Sequence, residues 1–429
     1  FASYNCSIRF QPINLAKQVL LSLIFYNIFL VLYRAAIGLA SVWDEKARHW
    51  IRGRENALPV FNEKTIWMHC ASLGEFEQGR PVLEAVKKRF PHYPVVLTFF
   101  SPSGYEIRKK YTGADAVLYL PLDGKRRAQQ TIQAINPALV LWVKYEYWYY
   151  HLTEVQKRNV PLILVSGIFR PHQPFFKWYG NLWNKMLRRF TVVFVQNEAS
   201  YRLLEAHQLH QHAVVAGDTR FDRVTDVAAN ATAIPPVAAF CAQRPVLVAG
   251  STWEEDEEVL AHYVRQHPEI VFIIAPHEVD EDNIRDVMKI FPDAVRFSRL
   301  QEATDQQHVL IIDNIGMLNR LYQYATVAYI GGGFRDSGIH NTLEAAVYGI
   351  PVVFGPVYEK FNEAVEMIET GCATSIENAL ELEQILNDYF SNAHHRTRAG
   401  LAAKNYVAEH TGSTQMITDV IYEKRLLTN

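Results

Sequence analysis

Two α/β domains, each a parallel sheet wound on both faces by helices, are the fold class this chain predicts, and three observations predict it. Its 429 residues are too many for one ordinary hydrophobic core and divide into two units of about 200 residues. Apolar runs of four to six residues recur from Thr65 to Phe354, separated by helical patterns, as the strands of a parallel sheet do. One run, Val327–Ile330, opens directly into Gly331, Gly332 and Gly333, a strand–glycine–helix pattern that favours a phosphate.

Composition narrows the class. Hydrophobic residues make up 49% and charged residues 21%, as in a globular protein, and no repeat or low-complexity tract stands out. A net charge of −2 excludes a globally basic nucleic-acid binder, so no nucleic-acid partner is expected. Cys6, Cys70, Cys241 and Cys372 are scattered without paired spacing, which argues against a zinc site and fits a reducing compartment.

The chain then reads in order. QVLLSLIFYNIFLVLY, between Lys17 and Arg34, carries no charge, and Lys46, Arg48, Arg52 and Arg54 follow. A signal peptide and a buried core helix are alternatives; the basic cluster favours residues 1–45 as a membrane anchor, spanning or lying in the interface. Residues 46–216 form the first α/β domain, with strands over Thr65–Cys70, Pro94–Phe99, Ala116–Leu120, Ala138–Val143, Pro161–Ser166 and Val192–Gln196. Residues 217–429 form the second, its last helix able to return to the first domain; Asn230–Phe240, with two prolines, reads as a linker. Strands are expected over Pro245–Ala249, Ile270–Ala275, Val309–Ile312, Val327–Ile330 and Ile350–Phe354. Ser251, Thr252, His277, Asp313 and Gly331 to Phe334 all stand at carboxyl ends of strands, where α/β sheets bind ligands.

The glycine loop is expected to lead into a helix from near Gly338 to Gly349, with Pro351 beyond. His340 and Glu344, four apart, would share one face of it and suit a nucleotide, with Glu344 on the ribose hydroxyls. The plainer alternative is a glycine-rich turn of any α/β protein, with His340 as a cap and Glu344 solvated.

Several segments together resemble the 3-deoxy-D-manno-octulosonic acid (Kdo) transferases of lipid A biosynthesis. They are HCASLGEFEQGRP (His69 to Pro81), SPSG (Ser101 to Gly104), YLPLD (Tyr119 to Asp123), GDTRFD (Gly217 to Asp222), GSTWEEDE (Gly250 to Glu257), and the string from Gly331 through HNTLEAA to GPVYEKF. The resemblance implies a glycosyltransferase B fold of two facing Rossmann-like domains behind an N-terminal membrane-anchor helix. It implies inverting transfer of Kdo from CMP-Kdo to a lipid A precursor, lipid IVA, with no metal and no cofactor, at the cytoplasmic face of a Gram-negative inner membrane. It places CMP-Kdo on Ser251, Thr252, His277, Gly331, Gly332, Gly333, Phe334, His340, Asn341 and Glu344, and the acceptor on Ser103, Gly104, Arg108, Lys109, Glu146 and Arg170. This chain departs from the family where a Glu-x-Glu-x-Trp-Pro pattern is replaced by Lys144-Tyr145-Glu146-Tyr147-Trp148-Tyr149, so only Glu146 is retained.

Inverting transfer needs a base at the acceptor hydroxyl and positive character at the departing phosphate. Glu75 stands where a helix should begin, whose N-terminus would keep it ionised. It could equally be a first-turn carboxylate stabilising that helix, and Glu77 competes on the same grounds; the match of SLGE to the family selects Glu75. Exposed basic residues, among them Lys110, Lys125, Arg126, Arg127 and Lys177, are further candidates for acceptor phosphates. The aromatic runs Trp142–Tyr150 and Phe175–Trp183 suit either the lipid interface or the core. Two other readings stay open: a nucleotide-sugar epimerase or another transferase of the same fold, and a non-catalytic nucleotide-binding membrane module.

Overall fold

The computed structural model describes residues 15–144, 146–304 and 306–428. The chain forms two compact units, one holding the chain through Thr219 together with the segment from Gly412 onward, the other holding Arg220–Thr411. Cys6 lies outside the described residues; Cys70, Cys241 and Cys372 are buried free thiols.

The first unit is built on seven strands: β1 (Thr65–Cys70), β2 (Val95–Phe99), β3 (Ala116–Tyr119), β4 (Pro137–Val143), β5 (Leu162–Gly167), β6 (Val192–Val195) and β7 (Ala213–Val215). Their order is β3-β2-β1-β4-β5-β6-β7, every pair parallel. Strands β1, β2, β5 and β6 are buried throughout, which explains their largely apolar sequences. The helix Leu73–Arg89 packs closely on this sheet at Gly79, where a Cβ would lie 2.7 Å from Val143 and 2.8 Å from Met68 Sδ. The C-terminal helix Ser413–Glu423 belongs to the same unit, with Ile417 and Ile421 in its core.

The second unit repeats the plan with β8 (Val246–Thr252), β9 (Val271–Pro276), β10 (Val295–Arg296), β11 (Val309–Ile311), β12 (Val327–Ile330), β13 (Val352–Phe354) and β14 (Ala373–Ser375). Their order is β10-β11-β9-β8-β12-β13-β14, again all parallel. The segment expected as a linker is folded instead. Pro235–Cys241 is a helix, and Ile234, Val237 and Cys241 lie in the second unit's core, because its two prolines occupy the first helical turn, where no N–H is missed.

The helix Leu15–Ala40 lies along the first unit by one stripe. Leu30 is 6% exposed and clusters with Trp50, Phe100 and Leu122; the Tyr33 ring meets Trp50 edge-on; the Tyr26 hydroxyl donates to Asp123 Oδ2 at 2.7 Å. Asp123, from the YLPLD segment, also accepts from the Tyr150 N–H at 2.8 Å and from His151 Nδ1 at 2.6 Å. The other side of the helix, including Leu20, Ile24, Phe25, Ile28 and Leu32, is exposed and apolar. Val19–Ala40 is long and apolar enough to cross a membrane by length and composition.

One member of the basic cluster after this helix is not a surface charge. Arg54 donates to the carbonyls of Trp50, Phe100 and Leu120 at 2.6–2.9 Å and lies over the Trp50 ring at 3.8 Å. Burial pushes its guanidinium down to about 9, so it stays charged at neutral pH as an internal clamp.

Candidate functional site

The first unit gathers its polar groups at the carboxyl end of β1. Ser72 caps the helix Leu73–Arg89 by accepting from the Glu75 N–H, and Glu75 folds back so that its carboxylate accepts from the Ala71 N–H. The expectation that a helix N-terminus keeps Glu75 ionised is corrected by its burial. The residue is 7% exposed, and burial, then the Glu146 charge, push its carboxyl up to about 7, against the Ala71 N–H and the Lys144 charge. A carboxyl in that range exchanges its proton near neutrality, as a general base should.

Glu77, the competitor, is committed elsewhere: its Oε1 accepts from Arg108 Nη2 at 2.6 Å. Gly104 lets the short helix Pro102–Arg108 approach this loop, since a Cβ there would lie 3.1 Å from the Leu73 N and 2.3 Å from the Phe99 ring. The structure therefore brings Gly104 and Arg108 to the Glu75 helix, and Ser103 stands exposed on the same short helix. Glu146 Oε2 accepts from Trp148 Nε1 at 3.0 Å and lies 2.9 Å from His69 Nε2. Lys109 is drawn to Glu106 at 2.7 Å, and Arg170 stands on the loop after β5; neither is placed against Glu75. Of the two aromatic runs, the first is anchored in the core by Trp142, whereas Trp178 in the second is 87% exposed.

The second unit gathers its groups at the ends of β8, β9 and β12. The expected helix from Gly338 is corrected: only Leu343–Ala346 is helical, so His340 and Glu344 do not share a helix face. The intervening chain runs through turns, with the Arg335 N–H on Gly332 O and the Gly338 N–H on Arg335 O, and is tied off by bonds from the His340 N–H to Gly331 O and from the Ile339 N–H to Val357 O, with Gly338 at φ +81°. The role assigned to the three glycines changes as well. A Cβ on Gly331 would lie 2.3 Å from Ser251 O, and one on Gly333 would lie 2.5 Å from the Gly355 N, so both serve approach between protein backbones. Ser251 itself adopts φ +56°, beside a register shift between β8 and β9.

The rings of His277 and His340 stack at 4.4 Å, and His277 stacks on Trp253 at 4.6 Å. Trp253 Nε1 donates to His340 Nε2 at 3.2 Å, and Arg335 lies 4.0 Å over the Trp253 ring. Burial, then His277, push His340 down to about 4, so it is neutral at pH 7, and the permanent positive charge of this cluster is Arg335. Asn341 Nδ2 donates to Glu344 Oε1 at 3.1 Å. Phe334 packs against the core, and the Thr252 hydroxyl donates to buried Glu257 at 2.8 Å, so both are supports within the loop cluster. Asp313 turns away to accept from the Ser298 N–H at 3.0 Å.

Sequence reasoning missed three groups here: Trp253, Arg335 and Asp256. Asp256 is fully buried and accepts from the Tyr329 hydroxyl at 2.8 Å, the Gly332 N–H at 2.8 Å and the Trp253 N–H at 2.9 Å. It ties β12, the glycine loop and the start of the helix Glu254–Gln266 into one piece. Among the described residues no group of three or more His, Cys, Asp or Glu is placed to hold a metal ion.

Comparison with known proteins finds a family model that matches part of the chain and relatives that match most of it. Residues 42–223 match the model described as 3-deoxy-D-manno-octulosonic-acid transferase (kdotransferase). The chain is 26% identical over 378 residues to a bifunctional glycosyltransferase/methyltransferase of Fusobacterium nucleatum subsp. nucleatum, covering 83% of this chain and 56% of that protein. It thus spans little more than half of that relative's length. It is 23% identical over 372 residues to the 3-deoxy-D-manno-octulosonic acid transferase of Haemophilus influenzae, covering 83% of this chain and 86% of that one. The solved UDP-GlcNAc 2-epimerase from Neisseria meningitidis, bound to UDP-GlcNAc, shares the fold with a TM-score of 0.61 at 13% identity, over 84% of this chain and all of the other.

Proposed function

From a chain related to the Kdo transferases and built on the glycosyltransferase B fold, we propose an inverting transferase that moves Kdo from CMP-Kdo to the lipid A precursor lipid IVA. The observation that carries this reading is Glu75: a buried carboxyl at the end of β1, poised near neutrality, inside the segment that matches the family model. Glu75 takes the proton of the attacking acceptor hydroxyl as that oxygen bonds to the anomeric carbon, and CMP leaves from the opposite face with the electron pair of the broken bond. Gly104, Ser103 and Arg108 belong to the acceptor side. The cluster of His277, His340, Asn341, Glu344 and the glycine loop takes the donor, with Arg335 supplying positive charge and neutral His340 a ring N–H.

The test is incubation of purified protein with CMP-Kdo and lipid IVA, with mass spectrometry of the lipid. A lipid product carrying Kdo is expected, and CMP release should require the lipid. The fold shared with an epimerase makes epimerisation the second reading; an epimerised nucleotide sugar formed without lipid, with no Kdo on the lipid, would favour it and sink transfer.

Glu344→Ala should weaken CMP-Kdo binding by about 1.5–3 kcal/mol, a rise in the donor Michaelis constant of roughly 10- to 150-fold, because a charged hydrogen-bond acceptor is lost. The acceptor constant should hold. An unchanged donor constant would remove Glu344 from the site.

We place the protein on the cytoplasmic face of the inner membrane, with the helix Leu15–Ala40 lying in the interface. The stripe that packs on the first unit leaves only the opposite apolar face for lipid. Deleting residues 1–43 is expected to abolish flotation with lipid vesicles and to lower the unfolding temperature of the first unit, while CMP binding persists. A truncated chain that still floated would contradict the placement.

A further inference from the structure

Resting on the placement of the helix Leu15–Ala40 in the lipid interface, we propose that the turn Lys177–Gly180 is a second membrane contact, which sets Trp178 and Tyr179 among the headgroups of an anionic bilayer and fixes how the first unit faces it. These two rings have no part in the donor cluster or in the groups gathered at Glu75.

The turn is a rigid projection. Phe175 is buried at its base, with ring centroids 5.5 Å from Phe169 and 4.9 Å from Tyr147. The Lys177 N–H donates to Pro174 O at 3.2 Å and the Gly180 N–H to Lys177 O at 2.8 Å, which winds the chain tightly. Only glycine closes it, since a Cβ on Gly180 would lie 2.2 Å from Pro174 O. Trp178 and Tyr179 are thus thrown outward, and both are exposed. An indole left in water forgoes the stabilisation of burial. Trp and Tyr favour the membrane–water boundary, where the ring meets apolar chains and its N–H or O–H stays wet.

The turn stands next to the interfacial helix. Asn181–Leu187, the helix that begins straight after Gly180, packs against Leu15–Ala40. Val19 of the long helix and Trp183 of the short one flank the same core cluster, and the Trp183 ring lies 6.3 Å from Tyr179. Charge selects the lipid. From Val155 to Asn197 the chain carries no Asp or Glu, and Lys177, Lys185 and Arg188 are exposed there. Basic side chains around two apolar rings match a surface of lipid phosphates. A second copy of the chain, meeting this face with its own, would set like charge against like.

The second contact does what the first cannot. A helix lying in the interface is a line, and the unit can roll about it. A contact off that line fixes the roll. The turn follows β5 on the same segment as Arg170, so it holds the carboxyl ends of the strands, where Glu75 stands, at one angle to the bilayer.

The experiment follows tryptophan fluorescence of the full chain on vesicles with plain or brominated acyl chains, made of phosphatidylcholine alone or with phosphatidylglycerol. Trp43, the other strongly exposed indole, is replaced by Phe throughout, and Trp178→Phe is compared with that background. Neither change touches the core. Brominated chains should quench the background more than Trp178→Phe in anionic vesicles, and this difference should shrink by about threefold or more in phosphatidylcholine alone. Lys177→Glu with Lys185→Glu should shrink it likewise in anionic vesicles. Equal quenching with and without Trp178, on vesicles that float the protein, overturns the proposal and leaves the helix placement standing. Trp178 emission that shifts to the blue with protein concentration in the absence of lipid assigns the surface to a second copy and also overturns it. A full chain that floats with neither vesicle defeats the helix placement, and the proposal falls with it.

Discussion

Glu75→Gln is expected to lower turnover by about 10²–10⁴-fold while leaving CMP-Kdo affinity and thermal stability nearly unchanged. The substitution preserves size and the bond to the Ala71 N–H but cannot accept the acceptor's proton. Glu77→Gln is the control. It breaks the Arg108 pair, which is one-third exposed and of small energetic weight, and should retain most activity. The reverse outcome, a normal Glu75→Gln and a dead Glu77→Gln, would show that the base is Glu77. In the parent enzyme the rate should rise as pH passes through about 7, where Glu75 loses its proton. Stability runs the other way. A carboxyl raised from 4.5 to about 7 holds more protons folded than unfolded between those values, so its contribution falls as pH climbs through that window. Buried Glu257, also pushed up to about 7, adds to the same slope.

Asp256→Ala should be the most damaging single change in the second unit. It leaves the Tyr329 hydroxyl and the N–H groups of Gly332 and Trp253 without an acceptor in the interior, at a cost of about 4 kcal/mol. For a unit of this size that is a fall in unfolding temperature of roughly 10 °C. Donor binding should weaken with it, because the glycine loop and Trp253 lose their common tether. Asp256→Asn is the discriminating partner. Its oxygen can serve both N–H groups, and its NH₂ can donate to the Tyr329 oxygen, so it should cost about 1 kcal/mol. Equal losses in the two variants would mean that the charge, rather than the shared bonding, holds the loop.

The interior strands were legible as apolar runs because both faces of each sheet are covered. The strands that escaped notice, β7, β10 and β14, are two or three residues long and lie at sheet edges, where partial exposure breaks the pattern. The helix after Gly333 was overdrawn because Ile339, Leu343 and Ala346 have helical spacing; bonds to Gly331 and Val357, distant in the helix's own terms, override it. Glu75 was legible by position, and its ionisation was not, since burial and Glu146 come from tertiary packing. Asp256 sits in the run Glu254–Glu258, which reads as a solvated acidic helix start. Only the chain 73 to 76 residues onward makes it an internal tie. His69 and Glu146 are 77 residues apart and meet because β1 lies beside β4, with His69 in register with Trp142.

The N-terminal helix has a practical consequence. It is a wall of the first unit as well as the proposed anchor, since Leu30 and Tyr26 close over Trp50, Phe100, Leu122 and Asp123. A detergent that competes for its outer face also competes for the inner stripe, so extraction and unfolding are linked. Short-chain or harsh detergents should therefore inactivate this protein in step with how well they solubilise it. Long-chain maltosides or lipid nanodiscs, which cover the outer face without prising off the stripe, are the media in which it should keep its activity.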